Sequence, residues 1–321
     1  MDQLWYGSGL LFSEYGNMRV LVLGAGGVGI AFSSRLARAG VEVSVVAGRD
    51  YEVASKQGYD VRMLDGNYNF TPHAVLRSAD EFTGDPDWVI VACKALPSID
   101  MVKVLQPAVR SAQTKIMLIQ NGIDIEKDVH NAYPENLLVS TVAYTCTSRP
   151  APGVILNEGV LKLRFGDYPS GVSAATKEIA GLFSKGGVDC QTVDDINYIR
   201  WYKLLWNLSF NVVAVLGKVN TAEMCDNGPL EALCRKLMQE TKETACACGA
   251  ELTDKDIDDN FAFTRTLKPY IPSTCQDYYA GRPMEVEAIL GNPIRLAHQH
   301  NVPVPCMELC YTLLTALNKE R

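Results

Sequence analysis

Continuous apolar runs of strand length alternate with helical patterns in the first half of the chain. Four such runs are residues 18–23, 41–46, 88–93 and 115–119. Strands that read as unbroken apolar stretches are buried on both faces of a sheet. A helical pattern over residues 29–39 follows the first run and ends at Gly40. Strands that alternate with helices predict βαβ units and a parallel sheet.

The pattern changes twice further along the chain. Residues 138–170 alternate between apolar and polar positions and contain Pro150, Pro152 and Gly153, which predicts edge or antiparallel strands. From about residue 194 a repeat of 3.6 residues dominates. It covers residues 195–216, 227–249, 254–268, 283–300 and 305–319. We therefore expect a sheet domain over residues 18–193, an all-helical domain over 194–321, and an N-terminal extension of residues 1–17.

Neither the apolar segments nor the net charge suggests a membrane or a polyanion as partner. No window of 18 apolar residues is uninterrupted, so no membrane span is expected. Residues 1–17 carry Asp2 and Glu14 without a basic segment and do not resemble a signal peptide. Thirty basic and 37 acidic side chains give a net charge of -7, which argues against nucleic acid. One small basic pocket remains compatible with that balance.

The ten cysteines indicate a reducing, cytoplasmic compartment. Several lie inside apolar runs, as Cys93 does, where a free thiol behaves as a small apolar side chain. A chain of 321 residues can bury a core without disulfides. Cys246 and Cys248 lack the spacing of a CxxC pair, and His298 and His300 form an unrelated HxH pair. No metal site is predicted.

A glycine-rich fingerprint follows the first predicted strand and opens the first helix. Its residues are Gly24, Ala25, Gly26, Gly27, Val28 and Gly29. In a GxGxxG sequence the first glycine permits a tight turn, the second lets a pyrophosphate approach the backbone, and the third lets helix and strand pack closely. The alternative is a purely structural glycine-rich turn. The βαβ context favours dinucleotide binding and an α/β Rossmann-type domain.

Three polar residues follow predicted strands at the edge where such sheets bind ligands. The second strand is followed by Arg49 rather than by the acid that accepts from a ribose 2′-OH, which favours NADP(H) over NAD(H). Asp50 complicates that interpretation, and a solvated Arg49 is the alternative. Lys94 is a second candidate phosphate contact or a solvated lysine. Asn121 precedes Gly122 and either reaches the nicotinamide ribose or the substrate, or forms a simple turn.

A polar stripe runs along the most apolar helical segment, residues 201–216. Lys203, Asn207 and Asn211 have i, i+4, i+8 spacing and are predicted on one helix face. Buried polar groups need partners, and a ligand cleft supplies them; the alternative is a half-exposed surface stripe. A desolvated lysine beside a nicotinamide is suited to protonate a carbonyl oxygen. The asparagines are suited to orient substrate polar groups.

A third group of candidates lies between residues 272 and 292. Pro283 is expected to open a helix, with Glu285 in its first turn, where a glutamate is commonly only a dipole or cap partner. Ser273 is a loop hydroxyl by pattern alone. Neither residue would identify a site without the others.

Taken in order along the chain, these features resemble the ketopantoate reductase family (2-dehydropantoate 2-reductases). The resemblance extends from Met18 over nearly the whole chain. It rests on GAGGVG, Cys93-Lys94-Ala95, Gln120-Asn121-Gly122, the Lys203, Asn207 and Asn211 spacing, Ser273 with Gln276-Asp277, and Glu285 before Gly291-Asn292. It implies a Rossmann domain and a helical domain with the active site between them.

The resemblance also implies roles for individual residues. Lys203 matches the catalytic acid, and Glu285 matches a glutamate that supports catalysis and substrate binding. Asn207 and Ser273 match substrate-binding positions. Asn121 matches an asparagine near the nicotinamide. Arg49 and Lys94 match residues that contact the NADPH phosphates. The implied reaction is NADPH-dependent reduction of a small 2-oxo acid, with ketopantoate as the favoured substrate.

The chain departs from the family pattern around its substrate positions. Asn211 is followed by Val212 instead of proline, and Thr221 stands where a further substrate-binding asparagine is expected. Two alternatives therefore stay open: a D-2-hydroxyacid dehydrogenase for bulkier 2-oxo acids, and a non-catalytic NADP(H)-binding sensor. A homodimer is an open expectation, because these patterns do not determine the oligomeric state.

Overall fold

A ten-stranded sheet organises the first part of the molecule; the computed structural model describes residues 18–318, so the expected extension at 1–17 lies outside the described residues. The strands are β1 (Arg19–Leu23), β2 (Glu42–Val46), β3 (Tyr59–Met63), β4 (Gly66–Phe70), β5 (Ala74–Leu76), β6 (Trp88–Val91), β7 (Lys115–Leu118), β8 (Leu138–Ala151), β9 (Val154–Asp167) and β10 (Asp189–Thr192). Their order is β4-β3-β9-β8-β7-β6-β1-β2-β5, with β10 also paired to β9.

The six strands from β5 to β8 in that order are all parallel, as the unbroken apolar runs predict. Residues 20–22 in β1 are completely buried because helices cover both faces of the sheet. Parallel strands end at the same edge. The segments that follow β1, β2, β6 and β7 are therefore brought together there, and these segments carry most of the sequence-predicted cofactor residues.

The alternating segment forms the long antiparallel hairpin of β8 and β9, as predicted, but it does not lie at an edge. On its far side β9 pairs with both β3 and β10 in parallel register. A further hairpin of β3 and β4 then closes the sheet. Of the two alternatives, antiparallel pairing is therefore the one confirmed; β9 is not an edge strand because β3 and β10, distant in sequence, supply the hydrogen bonds that its outer side needs.

Five α-helices accompany the sheet. They are α1 (Gly27–Arg38), α2 (Tyr51–Gln57), α3 (Met101–Leu105), α4 (Lys127–Ala132) and α5 (Ala174–Lys185). The apolar face of α1 packs against α5 and the β8–β9 hairpin. Phe32 of α1 meets Phe183 of α5 edge-to-face, with ring centroids 6.4 Å apart. This packing holds the start of α1 at the carboxyl end of β1.

The chain after β10 is helical, as expected from the 3.6-residue repeat. Its α-helices are α6 (Ile196–Trp206), α7 (Val212–Gly217), α8 (Thr221–Asp226), α9 (Gly228–Ala247), α10 (Asp254–Thr266), α11 (Ser273–Tyr279), α12 (Asn292–Gln299) and α13 (Pro305–Asn318). Two π-helical turns, Asn207–Asn211 and Glu287–Gly291, interrupt them. The long helix α9 is central and packs against α6, α8, α10, α12 and α13. Within residues 18–318, no helix combines the length and apolar character needed to cross a membrane.

Candidate active site

The glycine-rich turn between β1 and α1 is shaped by close contacts that side chains would prevent. Gly24 has φ +109°, and a Cβ on it would lie 2.4 Å from the Cys93 backbone nitrogen. A Cβ on Gly29 would lie 2.0 Å from the carbonyl oxygen of Gly24. The first glycine thus permits the turn and the third permits close packing of helix on strand, as the motif predicts.

The start of α1 is open at the same turn. Gly26 is the N-cap residue; no side chain caps the helix, and a Cβ on Gly26 would have no atom within 4 Å. The first turn contains no acidic residue. Ala25 and Val28 pack on the core beneath. Free N–H groups at a helix start attract phosphate, so this cradle fits the pyrophosphate of a dinucleotide.

The end of β2 presents one arginine outward and turns one aspartate inward. Arg49 is exposed, and Asp50 is only 1% exposed. The Asp50 carboxylate accepts a hydrogen bond from Arg149 Nη1 of β8 at 2.7 Å. Asp50 is therefore neutralised by Arg149 and does not compete with a phosphate for Arg49. Arg149 is a residue that the sequence pattern did not single out.

Lys94 follows β6 and reaches across to the helical part of the chain. Its Nζ forms an ion pair with Asp277 of α11 at 2.5 Å and donates to the Pro283 carbonyl at 2.9 Å. Asp277 also accepts from Arg282 Nε at 2.9 Å. In this structure Lys94 thus joins the sheet edge, where a phosphate contact is predicted, to α11.

The turn after β7 holds Asn121 in the cleft. Gly122 has φ +105°, and a Cβ on it would lie 2.5 Å from the Ala288 carbonyl oxygen. The next residue, Ile123, donates its N–H to that same carbonyl at 3.1 Å and accepts from Asn292 Nδ2 at 2.7 Å. The turn is therefore docked onto the second π-helical turn, and only glycine fits at the contact.

Lys203 is the centre of the site. It lies on α6, and its Nζ donates to Asn121 Oδ1 at 2.7 Å and to the Ala143 carbonyl of β8 at 2.6 Å. The Tyr144 ring lies 5.6 Å away. Burial lowers the pKa of Lys203 from 10.5 to about 7; the positive charge of Arg200 adds to that decrease, and Glu285 opposes it.

Glu285 faces Lys203 through Asn121. Its Oε1 accepts from the Ala95 N–H at 3.0 Å, and the Asn121 side chain lies beside its carboxyl group. Burial raises the pKa of Glu285, while the Ala95 hydrogen bond and the charge of Lys94 act in the opposite direction. Asn121 thus links the two residues for which catalytic roles are predicted.

The predicted position of Glu285 in the first turn of a helix is wrong. Residues 282–285 are not helical, and helical structure begins only at Val286. Met284 donates its N–H to Asn318 Oδ1 of α13 at 2.9 Å, and Glu285 is held by the Ala95 N–H. These long-range hydrogen bonds hold residues 282–285 outside the helix although Pro283 suits a helix start.

The remaining stripe residues differ in their surroundings. Asn207 is 7% exposed and lines a small cavity together with Lys203 and Asn121. Asn211 is 1% exposed, and its Oδ1 accepts from the Thr274 N–H at 3.0 Å and the Ser273 hydroxyl at 3.4 Å. A π-helical turn separates Asn207 from Asn211, as often occurs near functional sites. Asn211 therefore holds the start of α11, while Ser273 itself is exposed.

Thr221, which replaces the expected asparagine, is used for internal hydrogen bonds. It is 1% exposed; its N–H donates to the Tyr270 carbonyl at 3.0 Å, and its Oγ1 accepts from the Tyr270 N–H at 3.1 Å. The neighbouring Asn220 caps α8 through the Ala222 and Glu223 N–H groups. Thr221 thus has no amide to offer a substrate, and the amide oxygen of Asn220 is used to cap α8.

Besides Arg149, sequence reasoning missed two contributors to the surroundings of Lys203. The Ala143 carbonyl has no sequence signal, because any residue offers a backbone oxygen. Arg200 lines the same small cavity as Lys203 and precedes it by three residues, so the i, i+3 rule applied to an arginine within an apolar helix would have found it. The described residues hold no group of three or more His, Cys, Asp or Glu side chains arranged for a metal ion, and all ten cysteines are free.

Family models cover both parts of the chain. Residues 20–170 match the model described as ketopantoate reductase PanE/ApbA, and residues 195–318 match the one described as ketopantoate reductase PanE/ApbA C terminal. The chain belongs to the ketopantoate reductase family. The fold expected from the sequence, a Rossmann-type sheet followed by helices, is that of the family.

Individual relatives agree with this assignment. A 2-dehydropantoate 2-reductase of Nostoc sp. is 27% identical over 304 residues, covering 92% of this chain and 94% of that protein. The crystal structure of 2-dehydropantoate 2-reductase from Methylococcus capsulatus is 37% identical with a TM-score of 0.86, covering 93% of this chain and 96% of that one. A ternary structure of D-mandelate dehydrogenase with NADH and anilino(oxo)acetate shares the fold at 22% identity, with a TM-score of 0.84 and coverages of 94% and 98%.

Membership in this family makes the chain a 2-dehydropantoate 2-reductase-like oxidoreductase that acts on CH–OH groups. Its substrate is a small 2-oxo acid, and its cofactor is a nicotinamide dinucleotide. The glycine cradle at the start of α1 fits that cofactor.

Proposed function

We propose that this ketopantoate reductase family member reduces ketopantoate to pantoate with NADPH, and that Lys203 is the proton donor. The observation that carries the proposal is the hydrogen bond from Lys203 to Asn121, with Glu285 buried beside Asn121, at the carboxyl edge of the sheet. A lysine whose pKa is near 7 is half protonated at neutral pH and can give up its proton readily.

The reaction needs one hydride and one proton. When bound, a reduced nicotinamide would supply the hydride that the carbonyl carbon of the 2-oxo acid receives. Lys203 Nζ delivers the proton to the carbonyl oxygen, so that the C=O bond becomes a CH–OH group and the lysine is left neutral. Solvent then returns a proton to Nζ. The Ala143 carbonyl and Asn121 Oδ1 accept two of the three Nζ hydrogens, which leaves one to point at the substrate.

Residues around Lys203 are suited to hold the substrate. Glu285 is buried next to Asn121, and we assign it a supporting role in catalysis and substrate binding. Asn207 lines the cavity beside Lys203, and Ser273 is exposed at the start of α11, so both are proposed as substrate contacts. Asn211 is proposed to act by fixing Ser273, since its amide oxygen is already engaged by α11.

The preference for NADPH is assigned to Arg49 and Lys94. Arg49 is exposed at the end of β2, where an NAD-dependent protein would carry an acid, and the Asp50 carboxylate beside it is buried against Arg149. Lys94 is the second proposed phosphate contact; to reach a phosphate it must exchange its partner Asp277. We also propose the division into a cofactor part, 18–193, and a helical catalytic part, 194–321.

A second candidate substrate class follows from Thr221. A threonine has no side-chain amide, and the Thr221 hydroxyl oxygen already accepts from the Tyr270 N–H, so the polar contact of the expected asparagine with the substrate is missing. Loss of a polar contact favours a less polar substrate, so a bulkier 2-oxo acid is the alternative to ketopantoate.

A panel of 2-oxo acids assayed with NADPH and with NADH tests these proposals. We expect the highest kcat/KM with ketopantoate and NADPH. A higher value with an aromatic 2-oxo acid would favour the alternative substrate. Tight NADPH binding without turnover of any panel member would refute the reductase proposal and favour a sensor. We also propose that the chain forms a homodimer, which light scattering tests.

A further inference from the structure

A buried ion pair lies directly behind the proton donor. Arg200 precedes Lys203 by one turn of α6 and is 6% exposed. Its guanidinium forms an ion pair with Glu126, which is 2% exposed, and its Nε donates to the Ser140 hydroxyl at 2.6 Å. Ser140 in turn donates to Glu126 Oε1 at 2.6 Å. The three groups therefore close a ring that joins α6, β8 and the start of α4.

The same guanidinium also holds the turn that carries Asn121. Arg200 Nη1 donates to the Gln120 carbonyl at 3.1 Å and to the Gly122 carbonyl at 3.2 Å. These carbonyls flank Asn121, whose side chain accepts from Lys203. Arg200 thus connects the backbone around Asn121 to the helix that carries Lys203.

Arg200 acts on Lys203 through its charge as well. Both residues line one small cavity, and Nη2 of Arg200 has no hydrogen-bond partner in the described residues. Burial is the main reason for the low pKa of Lys203, and the Arg200 charge lowers it further. Three groups face Lys203: Arg200 from its own helix, Glu285 from the segment before the second π-helical turn, and Tyr144 from β8.

We infer that Arg200 is a positioning residue for the proton donor, and that Glu126 and Ser140 hold it in place. It orients the Asn121 turn and keeps a second positive charge beside the Lys203 ammonium. This rests on the proposed function, in which Lys203 protonates the substrate. The simpler view is that Arg200 and Glu126 only fasten α6 to the sheet; it predicts a loss of stability without a change in the titration of Lys203.

Substitutions of the two partners of the ion pair should shift the titration of Lys203 in opposite directions. Arg200→Gln removes a like charge and leaves Glu126 unpaired, so Lys203 should lose its proton at higher pH. Glu126→Gln leaves the Arg200 charge uncompensated, so Lys203 should lose its proton at lower pH. We expect each shift to be about one pH unit. Both shifts are measured from the pH at which kcat falls on the alkaline side of the pH profile. At neutral pH, kcat of each variant should change by less than it does in Lys203→Ala.

Two further variants separate the effect of the Arg200 charge from the effect of its hydrogen bonds and from a general loss of stability. Arg200→Lys keeps the charge but cannot hold both carbonyls and Glu126; we expect a lower kcat with the alkaline fall left in place. Arg35→Gln is the matched control, because Arg35 is another buried arginine whose side chain is 3% exposed and pairs with Asp65 at 2.6 Å. It should leave the pH profile unchanged.

A titration that does not depend on turnover distinguishes this inference from the proposed function. The ¹³Cε resonance of Lys203, identified by its loss in Lys203→Met, can be followed with pH in each folded variant. Opposite displacements in Arg200→Gln and Glu126→Gln support the inference even if no 2-oxo acid is reduced. An unchanged titration in both variants overturns it, and Glu126→Gln alone decides the matter if Arg200→Gln does not fold.

Discussion

The rate of reduction should fall with rising pH from about neutrality, because its proton donor is a desolvated lysine. An ordinary lysine has a pKa of 10.5, and that of Lys203 is lowered to about 7. Each pH unit above the pKa reduces the protonated fraction about tenfold. Roughly one tenth of Lys203 is then protonated at about pH 8 and one hundredth at about pH 9. A solvated lysine would stay almost fully protonated over that range.

The assay is the loss of NADPH absorbance at saturating ketopantoate between about pH 5.5 and 9.5. We expect kcat to be constant below about pH 7 and to fall roughly tenfold per unit above it. Lys203→Arg is the matched variant: its guanidinium stays charged throughout, so its low residual rate should not show this fall. A wild-type kcat that stays level to about pH 9 would show that Lys203 is not the acid or is not desolvated.

Four other outcomes follow from the same contacts. Lys203→Ala should lower kcat by about 10² or more, as is usual for loss of a general acid, while NADPH binding measured by fluorescence persists. Between about pH 7 and 10.5 the unfolded chain binds a proton that folded Lys203 does not, so the free energy of unfolding should rise with pH, and urea titrations should show a smaller rise in Lys203→Met. Arg49→Ala should raise KM for NADPH by about tenfold or more, as expected for loss of a charge-assisted hydrogen bond, and should leave KM for NADH nearly constant; equal effects would reject the 2′-phosphate contact. Gly122→Ala should destabilise the protein in urea by several-fold more than Gly40→Ala, because both positions have positive φ but only the first Cβ would collide, at 2.5 Å from a carbonyl oxygen.

The periodicity of apolar residues was sufficient to predict the strands and helices that bury a regular apolar face. The strands β1, β2, β6 and β7 and the helices α6, α7, α9, α10, α12 and α13 follow the predicted patterns within a few residues, whereas the short helices α8 and α11 were not predicted. The helix predicted around Pro283 failed at its start, because backbone hydrogen bonds to α13 and a contact to Ala95 compete with helix formation there. Periodicity predicted edge or antiparallel strands for the β8–β9 hairpin and could not choose between them, since the pairing of β3 and β10 with β9 depends on residues distant in sequence.

The chain by itself determined the residue types and their order: a glycine cradle, an arginine in place of an acid after β2, and a lysine in an apolar helix. These follow from short-range rules, because turn geometry, helical spacing and strand length depend on neighbouring residues. Only the tertiary structure decided what each side chain meets. It places Asn121 between Lys203 and Glu285, directs Asp50 to Arg149 and Thr221 to Tyr270, and puts Arg200 behind the proton donor. The low pKa of Lys203 depends on burial and charges contributed by separate parts of the chain, and no local pattern contains that information.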